Sequence, residues 1–223
     1  MLVIACAADC KKGFYEDLKR QVAKAGMTMI YAEIKPFSWA AMIEWELEIA
    51  HTYSRDIVCF VDVWDFLLQG TAQDIVAALG NSDLLFHSEA ICWPEPHKAD
   101  MYPTPPSPNA LSRFRYVNGT GPCGYGAAIA EAIEYGQREF PIRGRESSIF
   151  ADNDQRFWTD TFLSGRGQID YTCRLSVALN AVEPSEFVIA ERKLRLFTGV
   201  TPAFVHANGA SDKLYAVELE ALR

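Results

Sequence analysis

The sequence predicts an α/β fold, a central, mostly parallel sheet flanked by helices in a Rossmann-like, doubly wound arrangement. Three observations predict it. Stretches of strand character alternate with stretches of helical period through residues 1–89. The run "DIVCFVD" (56–62) is apolar through its middle, as strands buried on both faces of a parallel sheet are. That run ends on two aspartates, in "FVDVWD" (60–65), and open α/β sheets bind ligands beyond the carboxyl ends of their strands.

The elements follow in order. "LVIACAA" (2–8) reads as a strand. "GFYEDLKRQVAKAG" (13–26) has apolar residues at 14, 15, 18, 22 and 23, the spacing of a helix, and Gly26 ends it. "MTMIYAEI" (27–34) returns to strand. "SWAAMIEWELEIAHTYS" (38–54) is a helix with Ser38 at its N-cap. After the 56–62 strand, "TAQDIVAALGN" (71–81) is a helix capped by Thr71 and closed by Gly80, and "DLLFHSE" (83–89) is a strand. The stretch "CWPEPHKADMYPTPPSPN" (92–109) holds six prolines in eighteen residues and predicts a long surface loop. Beyond it, "RFRYVN" (113–118) reads as strand, "GTGPCGYG" (119–126) as a glycine-rich turn and "AAIAEAIEYGQREF" (127–140) as helix. "DNDQRFWTDTFL" (152–163) is a helix with an acidic start, with Asp152 as its expected cap. "LRLFTGVTPAFVHANG" (194–209) gives two short strands and a loop. No repeat or low-complexity tract interrupts the chain, and residues 1–223 are expected to form one domain.

Composition bounds the function. With 49% hydrophobic and 22% charged residues, the 223-residue chain is long enough to bury a full core. A net charge of −8 argues against a protein that coats nucleic acid by general electrostatics. The first apolar run is about six residues and follows no basic segment, too short for a signal peptide or a membrane span. Neither membrane association nor secretion is therefore expected. Of the six cysteines only Cys6 and Cys10 are close in sequence, and they lack the second ligand pair of a zinc site. Cys6 and Cys59 lie inside apolar runs, as buried free thiols do, which points to a reducing, cytoplasmic location.

Asp62 and Asp65 stand at the end of the third strand. Hard divalent cations take carboxylate oxygens, and a cation shared by two carboxylates can grip a diphosphate and neutralise a leaving group. Alternatively, Asp62 caps a turn and Asp65 opens the next helix. Four later blocks join this pair: "HSEAICWP" (87–94) with "YP" (102–103), "VNGTGPCG" (117–124), "DNDQ" (152–155) and "HANGASDK" (206–213).

In that order the five blocks resemble the glycosyltransferase domain of the procollagen lysyl hydroxylases and its viral and bacterial relatives. The family pattern runs D-x-x-D, S-A-E-x-x-C-W-P with Y-P, L-N-S-G-x-x-x-G, D-D-D-Q and H-G-N-G with a nearby lysine. The resemblance implies a GT-A fold, Mn²⁺ and a UDP-sugar donor. It implies Asp62, Asp65 and His206 as metal ligands and Trp64 as the platform for uracil. Trp39, with Phe37 as the other choice, is implied as a second aromatic at the base. Ala8, Trp93, Asn118, Gly119, Asn208 and Gly209 complete the nucleotide-sugar set, and Lys213 faces the diphosphate. Asp154 falls at the acidic position near sugar and acceptor and is the candidate catalytic residue. Glu89, at a strand end facing the site, is a second catalytic candidate or a support for one. Three positions depart from the pattern: Asn153 replaces an aspartate, "NGT" replaces N-S-G, and Asp212 shifts Lys213 by one residue.

These expectations combine into a hexosyltransferase that moves a sugar, glucose as the first choice, from UDP to an acceptor hydroxyl. A stand-alone chain of this kind suggests a bacterium or a phage-infected cell, with a hydroxymethyl-pyrimidine of phage DNA as acceptor. Arginines in "RFR" (113–115) and "REFPIRGRESS" (138–148) are the cue for DNA, and a target base would be flipped out to react. A protein hydroxylysine or a saccharide is the alternative acceptor. A non-catalytic nucleotide-sugar binder and a metal-dependent hydrolase are the alternatives to transfer.

Overall fold

The computed structural model describes residues 1–11, 13–105, 113–139, 153–209, 211 and 215–223. A six-stranded sheet has the order β2-β1-β3-β6-β5-β7. Its strands are β1 (Leu2–Ala8), β2 (Thr28–Glu33), β3 (Ile57–Phe60), β5 (Leu84–Glu89), β6 (Tyr116–Tyr125) and β7 (Gln168–Ile169). β6 alone runs against the rest, pairing antiparallel with β3 and β5. The predicted mostly parallel α/β sheet is therefore present.

Alternation along β1 divides the core. Leu2, Ile4, Cys6 and Ala8 face Leu18 and Val22 of α1 (Tyr15–Lys24) and Ile75 and Leu79 of α3 (Ala72–Leu79). Ala5 joins the other face, where Ile43 and Ile49 of α2 (Trp39–Thr52) pack with Ile129 and Ile133 of α4 (Gly126–Glu139) and Phe157 and Trp158 of α5 (Asp154–Leu163). Helices thus cover both faces of the sheet. The predicted caps hold: Ser38 Oγ accepts from Ala41 N at 3.1 Å, and Thr71 and Asp74 form a capping box.

Gly136 lies where α4 meets α5. A Cβ there would sit 2.3 Å from Phe157 Cε2, inside a fully buried ring. We expect Gly136→Ala to destabilise the fold by about 1–3 kcal/mol through overpacking, despite alanine's better helix propensity. Chemical denaturation checks this; an unchanged or raised midpoint would show that the α4–α5 contact is loose.

The structure changes three expectations. Residues 119–125 do not turn; they continue β6. Their glycines serve close approach instead, because a Cβ on Gly124 would lie 2.3 Å from Asp83 O. The register of β6 also shifts between Phe86 and Ser88, and Gly121 takes φ +87°, as a strand irregularity requires. Within the proline-rich loop, Pro96–Met101 form a 3₁₀ turn, with Pro96 at its first turn where no donor is needed. Asn153, not Asp152, caps α5, its Oδ1 accepting from Arg156 N at 3.2 Å; Asp152 lies outside the described residues.

A second sheet escaped prediction because its strands are only three residues long. β4 (Phe66–Leu68), β11 (Phe204–His206) and β8 (Ser176–Ala178) lie in the order β4-β11-β8. Its registers pair His206 with Phe66 and with Ala178, which carries the C-terminal histidine back beside the aspartates. A hairpin of β9 (Phe187–Ala190) and β10 (Lys193–Leu196) and a short α6 (Ala216–Glu220) close the third core cluster around Val177, Leu194, Val205 and Leu219.

Candidate active site

The carboxyl ends of β3 and β5 deliver Asp62 and Glu89 to one cleft of about 400 Å³. Trp39, Asp62, Glu89, Trp93, Asn118, Gly119, Asp154, His206, Asn208 and Gly209 line it, so ten of the residues picked from sequence meet there. Sequence reasoning missed Thr120 and Asn180, which also line it. Ala8 ends β1 but is buried, its carbonyl accepting from Ile34 N, and it lines neither this cleft nor the cavity beside it. Lys213 lies outside the described residues.

Asp62 and Asp65 sit on the turn that joins β3 to β4. Asp62 Oδ1 accepts from Trp64 N at 3.0 Å, and the Asp65 carbonyl accepts from Ala207 N at 2.8 Å. That second bond ties the aspartate turn directly to the residue after His206. The His206 ring packs on Phe66 at 4.2 Å between centroids, and its Nε2 lies 3.2 Å from Asp65 Oδ1.

Asp65 Oδ1 is nevertheless buried without a hydrogen-bond donor. Two ligands about 2.1–2.3 Å from one hard cation and at a right angle would stand about 3.0–3.3 Å apart. The observed pair has that separation and a carboxylate oxygen in want of a partner, so it fits a divalent cation. Among the described residues no three His, Cys, Asp or Glu side chains converge as a preformed cage. The preformed part is Asp65 with His206, and Asp62 borders the same cleft from the same turn. Burial, then the like charge of Asp65, pushes the Asp62 carboxyl up to about 7. Added positive charge would reverse that shift.

An aromatic group flanks the pair. Phe37 meets Trp39 edge-on at 5.1 Å and lies 6.5 Å from Trp64. Trp64 is 37% exposed, and its Nε1 donates to Cys10 O at 3.4 Å. Gly13 makes its position possible: a Cβ there would lie 2.0 Å from Trp64 O, and φ is +60°. Both expected aromatics, Phe37 and Trp39, are thus at hand beside the platform. We expect Trp64→Ala to weaken UDP binding about tenfold by loss of stacking. Calorimetry reads this directly; equal affinity would remove Trp64 from the base site.

Glu89 is the knot of the cleft. Its Oε1 accepts from Gln155 Nε2 at 2.8 Å, and its Oε2 accepts from Asn118 Nδ2 at 2.8 Å and Asn208 Nδ2 at 3.2 Å. Four of the five sequence blocks are thereby joined through one buried carboxylate. Gln155 also donates to Val117 O at 2.8 Å, and Asn208 Oδ1 accepts from Asn180 N at 2.9 Å. Burial pushes Glu89 up, and the Gln155 and Asn118 amides pull it back. With its oxygens so engaged, Glu89 ties three side-chain amides together. Gln155, its main partner, carried a sequence signal as the last residue of "DNDQ".

Asp154 begins α5 and is 7% exposed; its Oδ1 accepts from Gln155 N at 2.8 Å. Burial, with Asp62 nearby, pushes its carboxyl up to about 8. Such a group can accept or hold a proton near neutrality. A Cβ on Gly119 would stand 3.1 Å from Asp154 Oδ1, so a glycine there leaves the carboxylate room. Two of the arginines read as a nucleic-acid cue are otherwise occupied. Arg113 binds Glu186 and the Ala181 carbonyl, and Arg115 donates to Ala99 O. The 140–148 part of the other arginine segment lies outside the described residues.

The profile of the PLOD GT domain family matches residues 41–220, a span holding every block above. The chain belongs to the PLOD glycosyltransferase-domain family. As a PLOD-type domain it is 29% identical over 179 residues to an uncharacterized protein of Acanthamoeba polyphaga mimivirus, covering 76% of this chain and 35% of that protein. It is 26% identical over 165 residues to the human multifunctional procollagen lysine hydroxylase and glycosyltransferase LH3, covering 69% of this chain and 20% of LH3. The PLOD-type domain therefore corresponds to about a third or less of the length of these relatives. In fold it is similar to a solved glycosyltransferase involved in the glycosylation of the major capsid of PBCV-1, with a TM-score of 0.54 and 14% identity over 98% of both chains. The fold is GT-A-like. Among the described residues no helix is long and apolar enough to cross a membrane.

Proposed function

We propose that this domain transfers a hexosyl group, glucose first, from a UDP-sugar to an acceptor hydroxyl with Mn²⁺ in the site. The observation that carries the reading is the ligand-spaced Asp65–His206 pair, in which Asp65 Oδ1 lacks a donor and His206 lines a cleft that Trp39 and Trp93 also line. A bound divalent cation would supply charge to the departing diphosphate. Asp65 and His206 would hold it, with Asp62 as a third ligand. Trp64, Phe37 and Trp39 form the face for the base. Glu89 fixes Asn118, Gln155 and Asn208 around the sugar. Asp154, raised by burial, orients the acceptor hydroxyl and takes its proton as the bond to the anomeric carbon forms.

The internal engagement of Arg113 and Arg115 takes two supports from a DNA acceptor. A peptide hydroxyl or a saccharide is the acceptor this cleft favours. The test is UDP-glucose turnover in Mn²⁺ with hydroxymethylated DNA, a hydroxylysine peptide and simple sugars, read by mass shift. Acceptor-dependent product is expected. Free glucose released at full rate without acceptor would identify a hydrolase, and no turnover with metal-dependent UDP binding would identify a binder.

A further inference from the structure

Beside the cleft lies a smaller cavity between α2 and the carboxyl ends of β1 and β3. It shares Trp39, Asp62, Thr120 and Asp154 with the cleft. Its inner wall is Trp45, Phe60 and one acidic residue, Glu46. Glu46 is 2% exposed, and its Oε2 is buried with no hydrogen-bond partner. Thr120, which lines the same cavity, is spent as a donor: its Oγ1 and N both donate to Asn118 Oδ1, at 2.5 and 3.1 Å. Gly121 is pressed against Glu46 Oε1, a Cβ there falling 3.1 Å from it.

A buried carboxyl oxygen without a partner costs a fold stability, and a ligand group that bonds the carboxyl would offset that cost. Burial, with Asp154 nearby, pushes Glu46 well above the usual carboxylate range. A protonated carboxyl offers one O–H and one acceptor. A hydroxyl matches both. The cavity has an aromatic end, at Phe37 and Trp64. Glu46 belongs to the other end, with Thr120 and Asp154, where the cleft continues past Asn118 and Glu89.

We propose that Glu46 is a specificity-determining residue whose side-chain carboxyl hydrogen-bonds a hydroxyl of the donor's glycosyl group. The proposal rests on the UDP-sugar reading above and deepens it. A site built to bond a hydroxyl discriminates strongly against a ligand or variant that leaves a partner unpaired.

The experiment compares the full chain with Glu46→Leu and Glu46→Gln, using calorimetry in Mn²⁺ with UDP and with UDP-glucose. For Glu46→Leu we expect UDP-glucose affinity to fall about tenfold or more while UDP affinity stays within about twofold. Glu46→Gln, which keeps a donor and an acceptor, should stay within about threefold of wild type for both. Thermal unfolding of Glu46→Leu should shift upward, because an unpaired polar group has been removed from the core. A residue that only supports the fold would not give higher stability together with weaker sugar binding. Unchanged UDP-glucose affinity in Glu46→Leu overturns the proposal. Equal weakening of UDP and UDP-glucose assigns Glu46 to the base and also overturns it. Wild-type chain that binds UDP but not UDP-glucose, or neither, overturns the donor reading itself and this assignment with it.

Discussion

Asp65→Ala should abolish Mn²⁺-dependent binding of UDP and lower transfer by about 10²–10³-fold, the cost of losing one charge-stabilising group at a reacting centre. The substitution removes the one carboxylate oxygen that stands 3.2 Å from His206 Nε2 without a donor of its own. It leaves the scaffold intact. The Asp65 main-chain carbonyl still accepts from Ala207 N, and β11 still pairs with β4 through Phe66. Loss of function would therefore occur at unchanged folding, which circular dichroism and a thermal midpoint check. His206→Ala should give the same binding defect, and the double variant little more, because the two ligands act as one unit. Calorimetry with UDP, with and without Mn²⁺, decides the matter. Wild-type affinity in Asp65→Ala would sink the metal assignment, and a metal-independent loss would mean that Asp65 serves the nucleotide pocket rather than a cation.

The sequence made the sheet legible because burial leaves a period. The apolar run at 56–62 and the capped helix at 72–79 each carry a local signal, and the structure follows both. The 119–125 part of β6 was hidden because its glycines, which permit contact with Asp83 and α2, are the residues that also make turns. The small sheet was hidden by length: three residues hold no period. At the site, residue types were visible but partnerships were not. Glu89 could be placed at a strand end, yet its three amide partners come from positions 29, 66 and 119 residues away. Glu46 shows the opposite failing. Ile43, Glu46 and Ile49 share one stripe of α2, while Glu44 and Glu48 face solvent, so the helical period already marked an acid on the apolar face. Only the cavity gives that mark a meaning.

Glu89→Gln carries the second large effect. The side chain keeps its size but exchanges one acceptor oxygen for an NH₂ group. Either oxygen of Glu89 now faces amide N–H donors, Gln155 at one and Asn118 with Asn208 at the other. Whichever way the new amide turns, N–H meets N–H, and at least one buried donor loses its partner. We expect about 1–3 kcal/mol of destabilisation from that unpaired group. Transfer should drop about 10²-fold, because Asn118, Gln155 and Asn208 all lose their common anchor and small misplacements are costly at a reacting centre. The pH profile separates positioning from proton transfer. If Glu89 only positions, the residual activity of Glu89→Gln keeps the wild-type limbs, since Asp154 remains the titrating group. Disappearance of one limb would make Glu89 the proton carrier and return Asp154 to a supporting role. UDP affinity supplies the control: it should change little, because the aromatic group and the Asp65–His206 pair make no hydrogen bond to Glu89.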